Sequence, residues 1–166
     1  MSSALDDAGM DATAAAEEEY APPPVSRMAI AVLALIGVFD AAYLSMYKLG
    51  IINGLTCTVG SCEQVQNSPQ SALFGIPVSV LGLGAYLALL ALALVGVQPR
   101  FVRDRRIARA ITAIAAVGML FSAYLTYVEA RVIYMWCQYC VISAILVTLI
   151  FLLSLPALRR ARAAAS

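Results

Sequence analysis

Residues 107–158 read IARAITAIAAVGMLFSAYLTYVEARVIYMWCQYCVISAILVTLIFLLSLPAL, and this stretch decides the fold. It holds two apolar runs, Ile107–Ala130 and Trp136–Leu158. Each reaches the roughly 20 residues that a helix needs to cross the hydrocarbon of a bilayer. Only residues 131–135 separate them, so the two form a tight helical hairpin with Cys137 and Cys140 at the start of its second arm.

Two more runs precede this hairpin, Met28–Tyr47 and Ile76–Val97, the second with Pro77 suited to a first helical turn. Gln98-Pro99-Arg100 breaks the second run from the third. The composition agrees: 62% of the 166 residues are hydrophobic and 13% charged. A soluble domain of this length cannot bury that much apolar surface, since soluble chains run at about half apolar and a quarter charged. The expected fold class is an all-α membrane protein, a four-transmembrane-helix bundle with an outer loop carrying a cysteine pair.

Charge gives the orientation. Arg27, the arginines between 100 and 109, and Arg159, Arg160 and Arg162 fall on one side of the four runs; Lys48 and Arg131 fall on the other. The positive-inside rule then places both termini in the cytoplasm and both cysteine-bearing loops outside. Residues 1–25 hold six of the ten acids and end in three prolines at 22–24, which reads as a disordered acidic cytoplasmic tail before a membrane domain over 26–158. Acids stand where a signal peptide has its basic start. Residues 159–166 form a basic cytoplasmic tail.

The chain has four cysteines and no histidine. Cys57 and Cys62 form a C-x4-C pair in a loop that also holds Gly54, Gly60 and Ser61, chain suited to swing between partners. Cys137 and Cys140 form a C-x2-C pair at a helix start, where the positive end of the helix dipole favours thiolate, the nucleophile of disulfide exchange. Three readings compete. Two static disulfides would staple the loop. A zinc site fits the count, but it needs thiolates on the oxidising side and spacers these are not, so no metal is expected. A redox relay fits position and compartment best. A relay needs a diffusible two-electron acceptor, and among apolar helices a lipid-soluble quinone is the natural one.

An internal echo points the same way. Ala42-Tyr43-Leu44-Ser45 returns 81 residues later as Ala123-Tyr124-Leu125-Thr126, each copy preceded by a glycine (Gly37, Gly118) and followed by a cysteine (Cys57, Cys137) at nearly equal distance. Small residues and tyrosines recur in membrane helices for packing and anchoring. The coincident cysteines favour a duplicated two-helix unit.

The ordered set of Tyr43-Leu44, Cys57, Cys62, Ser68, Phe74-Gly75-Ile76-Pro77-Val78-Ser79 and Cys137-Gln138-Tyr139-Cys140 resembles the vitamin K epoxide reductase family in its bacterial branch, over about residues 30–158. The resemblance implies a four-helix bundle around a quinone, either menaquinone or ubiquinone. It implies Cys137 and Cys140 as the active-site pair, with Cys140 nearest the quinone, and Cys57 and Cys62 as the shuttle. Ser68 would lie near the quinone head group. From the residues themselves, Phe74-Gly75-Ile76 reads as a short apolar cap over the bundle mouth that would shield a quinone from water. Family usage pairs Cys62 with Cys137 and leaves Cys57 for the partner. That partner would be a separate periplasmic thioredoxin-fold thiol oxidase of the DsbA type, since no thioredoxin-like segment follows the fourth run before Ser166. The implied site is the bacterial inner membrane.

Two positions depart from the animal members: Pro77-Val78-Ser79 lacks their asparagine, and Ala144 replaces their tyrosine. Plain quinone reduction is therefore expected rather than epoxide reduction. The alternatives are a thiol–disulfide transducer without quinone and a non-catalytic protein with structural disulfides. Asp40 lies roughly 18 Å into the first run at about 1.5 Å per residue, an expensive place for an ionisable group. It is a candidate proton relay, and the competing reading is a carboxyl bonded to a neighbouring helix. Tyr43, Tyr47, Tyr124, Tyr127 and Trp136 read as interface anchors.

Overall fold

The computed structural model describes residues 25–101 and 104–163. The acidic tail expected over residues 1–25 lies outside them except for Val25, which opens the first helix. Helix α1 spans Val25–Lys48, and a short helix α2, Cys62–Gln66, lies in the loop after it. A two-stranded hairpin follows, β1 (Ala72–Leu73) with β2 (Ile76–Pro77), then α3 (Val78–Val97), α4 (Arg105–Val128) and α5 (Gln138–Ala163). Helices α1, α3, α4 and α5 are the four long enough and apolar enough to cross a membrane.

Helix α1 packs against α3 and α5, and α4 closes the ring against α5 and, less extensively, α3. Small residues let the helices approach where they meet: Ala34, Ala93 and Ala115 are fully buried beside Ile30, Leu89, Ile111 and Ile150. The outer faces are apolar and exposed, with Leu35, Ile36, Phe39, Leu94, Val117, Leu120 and Ile145 turned outward. This pattern suits lipid rather than water.

Two boundaries differ from the reading of the sequence. Ile76 and Pro77 are taken by antiparallel pairing to Leu73 and Ala72, so Pro77 precedes α3 as its N-cap instead of sitting in its first turn. Phe74 and Gly75 make the two-residue turn with positive φ (52° and 84°), the twist a hairpin of this length needs. At the other hairpin, α4 ends by widening into one π-turn, Glu129–Ile133, stopped by Tyr134 in the left-handed region (φ 55°). Periodicity alone does not announce a π-turn, and such turns gather at functional sites.

At the end of the bundle away from the cysteines, Asp104 caps α4 by accepting the Arg106 N–H at 2.7 Å. Arg27 is buried against Gly96 and attracted by Asp104. The start of α1, the end of α3 and the start of α4 thus share one end of the bundle, and all four cysteines lie at the other.

Candidate active site

The loop after α1 is tied down residue by residue. Gly60 pairs with Cys137 in an isolated antiparallel bridge, and the Ser61 N–H donates to the Trp136 carbonyl at 2.9 Å. A Cβ at Gly60 would overlap that carbonyl, and φ is +88°, so the contact requires glycine. The Gln138 side-chain oxygen accepts from the Thr58 N–H (3.0 Å), the Thr58 hydroxyl (2.8 Å) and the Val59 N–H (3.2 Å). Tyr139 donates to the Thr56 carbonyl at 2.7 Å, while the Thr56 N–H donates to Tyr43 at 3.1 Å. The Tyr43 and Tyr139 rings stand 5.2 Å apart. Both residues between the cysteines of the C-x2-C motif therefore hold the loop. A segment whose glycines suggested free swinging is fastened at six or more points.

Cys57 and Cys62 are disulfide-bonded, and Cys137 and Cys140 are free thiols. Cys62 (1% exposed) and Cys137 (0%) sit in one dry cluster with Val65, which Leu55, Cys57, Ile133, Tyr139 and Cys140 complete. Cys57 remains half-buried at its edge. Cys137 stands just before α5, and its carbonyl accepts the Val141 N–H at 3.1 Å. A hydrogen bond from the Cys140 side chain draws the Cys137 thiol below its usual range, against opposing burial and the nearby Glu129 carboxyl. Cys137 is thus the thiolate-prone member of the pair.

Glu129 is a buried acid beside the thiol pair that the sequence reading did not single out. It is 3% exposed, and its Oε2 accepts the Cys137 N–H at 3.3 Å while its carboxyl shares a hydrogen bond with Cys140. The signal was present as an acid inside the third apolar run, eight residues before Cys137. It escaped because Glu129 was counted within the third run, one residue from its expected end at Ala130, and was not weighed as a site residue.

The remaining candidates separate. Ser68 lines a narrow cleft with Gln66, Ser71, Val78 and Glu129, its hydroxyl donating to the Val65 carbonyl at 2.7 Å. Lys48 holds that segment from α1 by donating to the Gln66 carbonyl and to the Ser71 hydroxyl at 2.8 Å. Phe74 is 97% exposed at the hairpin tip, apart from the cysteines. Asp40 is half-buried in α1 with Oδ2 unpartnered, within electrostatic reach of Tyr86 and Tyr139. Tyr86 hydrogen-bonds the Ser143 carbonyl and hydroxyl, both at 2.9 Å, one turn beyond Cys140. Ala144 lines an open apolar groove of about 320 Å³ with Thr126, Trp136, Val141 and Thr148.

A bundle of membrane-spanning helices that packs a disulfide against a free thiol pair has the parts of a membrane thiol–disulfide oxidoreductase. Residues 28–155 match the model of the Vitamin K epoxide reductase family, and the chain belongs to that family. It is accordingly a multi-pass membrane oxidoreductase of the thiol–quinone type.

Proposed function

We propose that this protein reoxidises a thioredoxin-fold partner outside the cell membrane, passing two electrons through Cys57–Cys62 and then Cys137–Cys140 to a membrane quinone. The observation that carries the reading is the shared dry cluster. Cys62 and Cys137 are buried together, while Cys57 keeps an exposed edge, which suits Cys62 to exchange with Cys137 and Cys57 to meet the partner. The partner's dithiol would reduce the loop disulfide and leave oxidised. The reduced loop pair would then pass its electrons inward as the Cys62 thiolate attacks an oxidised Cys137–Cys140 pair. The orientation rests on the positive-inside rule: all the basic residues but Lys48 and Arg131 belong to the end opposite the cysteines.

The quinone is the substrate that accepts two electrons and two protons. Its fit rests on polar atoms inside an apolar bundle. Ser79 Oγ and Asp40 Oδ2 are buried without hydrogen-bond partners, and buried polar groups are normally satisfied. A carbonyl-bearing ligand held near Ser68 and Ser79 would suit such a lining. Ser68, on the wall of the cleft beside Glu129, suits the head-group role in this reading, whereas Phe74, 97% exposed at the hairpin tip, has no contact that supports a cap. Asp40, within electrostatic reach of Tyr86 and Tyr139, would relay a proton to the quinone in this scheme.

Purified protein with quinone and a reduced thioredoxin-like partner tests the whole scheme. Quinone should be consumed only when partner and protein are both present, and Cys140→Ala should abolish consumption. Consumption left intact by Cys140→Ala would refute the path. For the proton relay, Asp40→Asn should slow turnover per folded molecule; lost yield with normal turnover would leave Asp40 a purely structural role.

A further inference from the structure

We propose that Glu129 is the catalytic proton acceptor for Cys140, taking its thiol proton as the Cys137–Cys140 pair is oxidised and releasing it into the Ser68 cleft. The proposal rests on the electron path above, because that path makes Cys140 the sulfur facing quinone. A buried carboxyl in a membrane-spanning helix is costly and is retained where it has work to do. Glu129 meets both cysteines of the motif, one through its backbone N–H and one through its thiol. Glu129 still closes the α-helical ladder, its N–H donating to the Leu125 carbonyl, and the π-turn that begins there leads the chain on toward Cys137. Glu129 also forms part of the wall of the cleft that holds Ser68. It is the one ionisable residue among the described residues lining that cleft. One group thus touches the thiol that gives up a proton and the space where a quinone oxygen needs one.

The surroundings leave this role to Glu129. From α5 it faces Cys137 and Cys140. From α2 come Cys62, bonded in the disulfide, and Glu63, whose carboxylate accepts the Leu55 N–H. From α1, Lys48 is engaged with Gln66 and Ser71, and Tyr43 with Thr56. Tyr86 of α3 is engaged with Ser143. Protons and electrons balance. Oxidation of a Cys137 thiolate and a Cys140 thiol forms one S–S bond and releases two electrons and one proton. Quinone takes two electrons and two protons. Glu129 carries the proton from Cys140, and the Asp40 route supplies the other.

The test uses the full-length protein, chemically reduced and mixed with a water-soluble quinone, with closure of the Cys137–Cys140 disulfide read by thiol trapping. Glu129→Gln keeps an oxygen for the Cys137 N–H but cannot take a proton, so closure should slow about 10²-fold. Glu129→Asp should recover part of the rate. In a Cys140→Ser background, where Cys137 is the sole free thiol, adding Glu129→Gln should lower the Cys137 titration midpoint by removing a like charge. Slower closure together with a more acidic Cys137 is a combination that loosened packing does not produce. Wild-type closure rates in Glu129→Gln would overturn the proposal.

Should Glu129→Gln fail to fold, the wild-type protein decides. Below both titrations the logarithm of its closure rate should fall with a slope of two against pH, one for Cys137 and one for Glu129. A slope of one rejects the carboxylate. Cys140→Ala separates the layers: dead Cys140→Ala with normal Glu129→Gln ends only the proton role, whereas active Cys140→Ala ends the path itself.

Discussion

The two copies of the repeated element share a backbone and part company in what surrounds them. In α1, Ser45 donates back to the Ala41 carbonyl at 2.7 Å; in α4, Thr126 donates back to the Ser122 carbonyl at 2.9 Å. Tyr43 nevertheless sits in the site against Tyr139, while Tyr124 is 57% exposed on the outer face and touches Phe121. Lys48 and Glu129 occupy equivalent places, 81 residues apart, and each ties its helix end to the segment after it. Lys48 grips the loop behind the disulfide; Glu129 grips the free thiol pair. At equivalent places of the repeat, a cation and an acid each fasten a helix end to the segment that follows. In the proposed scheme the first would hold the shuttle in place and the second would act on the thiols that react.

The largest contrast should fall between the cysteine pairs. Cys62→Ala and Cys137→Ala each remove one side of the proposed exchange, so partner oxidation should drop to background in both, measured with reduced partner in excess. Cys62→Ala should also hold the partner as a mixed disulfide on Cys57, seen on a non-reducing gel. A mixed disulfide on Cys62 of Cys57→Ala instead would reverse the roles of the loop thiols.

Next in size is the pH dependence of Cys137. Its titration lies below the ordinary thiol value because Cys140 donates to it. Thiolate is therefore present above that lowered midpoint and lost as pH falls through it. Cys140→Ser keeps a donor and Cys140→Ala does not, and each leaves Cys137 the sole free thiol. The midpoint, read by thiolate absorbance, should be higher in Cys140→Ala. Each unit of difference makes Cys137 about tenfold less reactive at a pH below both midpoints. Equal midpoints would show that the donor does not act.

The glycines of the two copies should differ in stability. A Cβ at Gly37 would overlap the Tyr86 ring, while one at Gly118 would come within 2.9 Å of a Val147 methyl, the far end of a small side chain. Gly37→Ala should therefore cost about 1–3 kcal/mol of unfolding stability and Gly118→Ala less, by denaturant unfolding in detergent. Gly37→Ala should also disturb the Tyr86–Ser143 bond one turn from Cys140. The smallest effect belongs to the tyrosines. Tyr43→Phe removes the acceptor for the Thr56 N–H and should cost about 1 kcal/mol, whereas Tyr124→Phe should be near neutral in the same assay. Equal costs would mean that Tyr43 is only an interface anchor.

Sequence alone sufficed for what depends on local chemistry. Four apolar runs of bilayer length, their charge asymmetry, and a C-x2-C motif at the head of the last run are each written within one segment. The family resemblance followed from their order. Boundaries failed where neighbours compete for the backbone: Ile76 and Pro77 went to a hairpin, and residues 129–133 to a π-turn. The tethering of the loop by Gln138 and Tyr139 was invisible because it joins residues about 80 positions apart.

Glu129 shows the division most plainly. Its place in an apolar run is a fact of sequence, and its cost there follows from the low dielectric of lipid. That its carboxyl reaches both Cys137 and Cys140 depends on how α4 ends and where α5 begins, which only packing decides. The same holds for the two tyrosines of the repeat. Identical neighbours in the chain cannot say which copy faces lipid, because a helix presents one side to its partners and the other to the membrane.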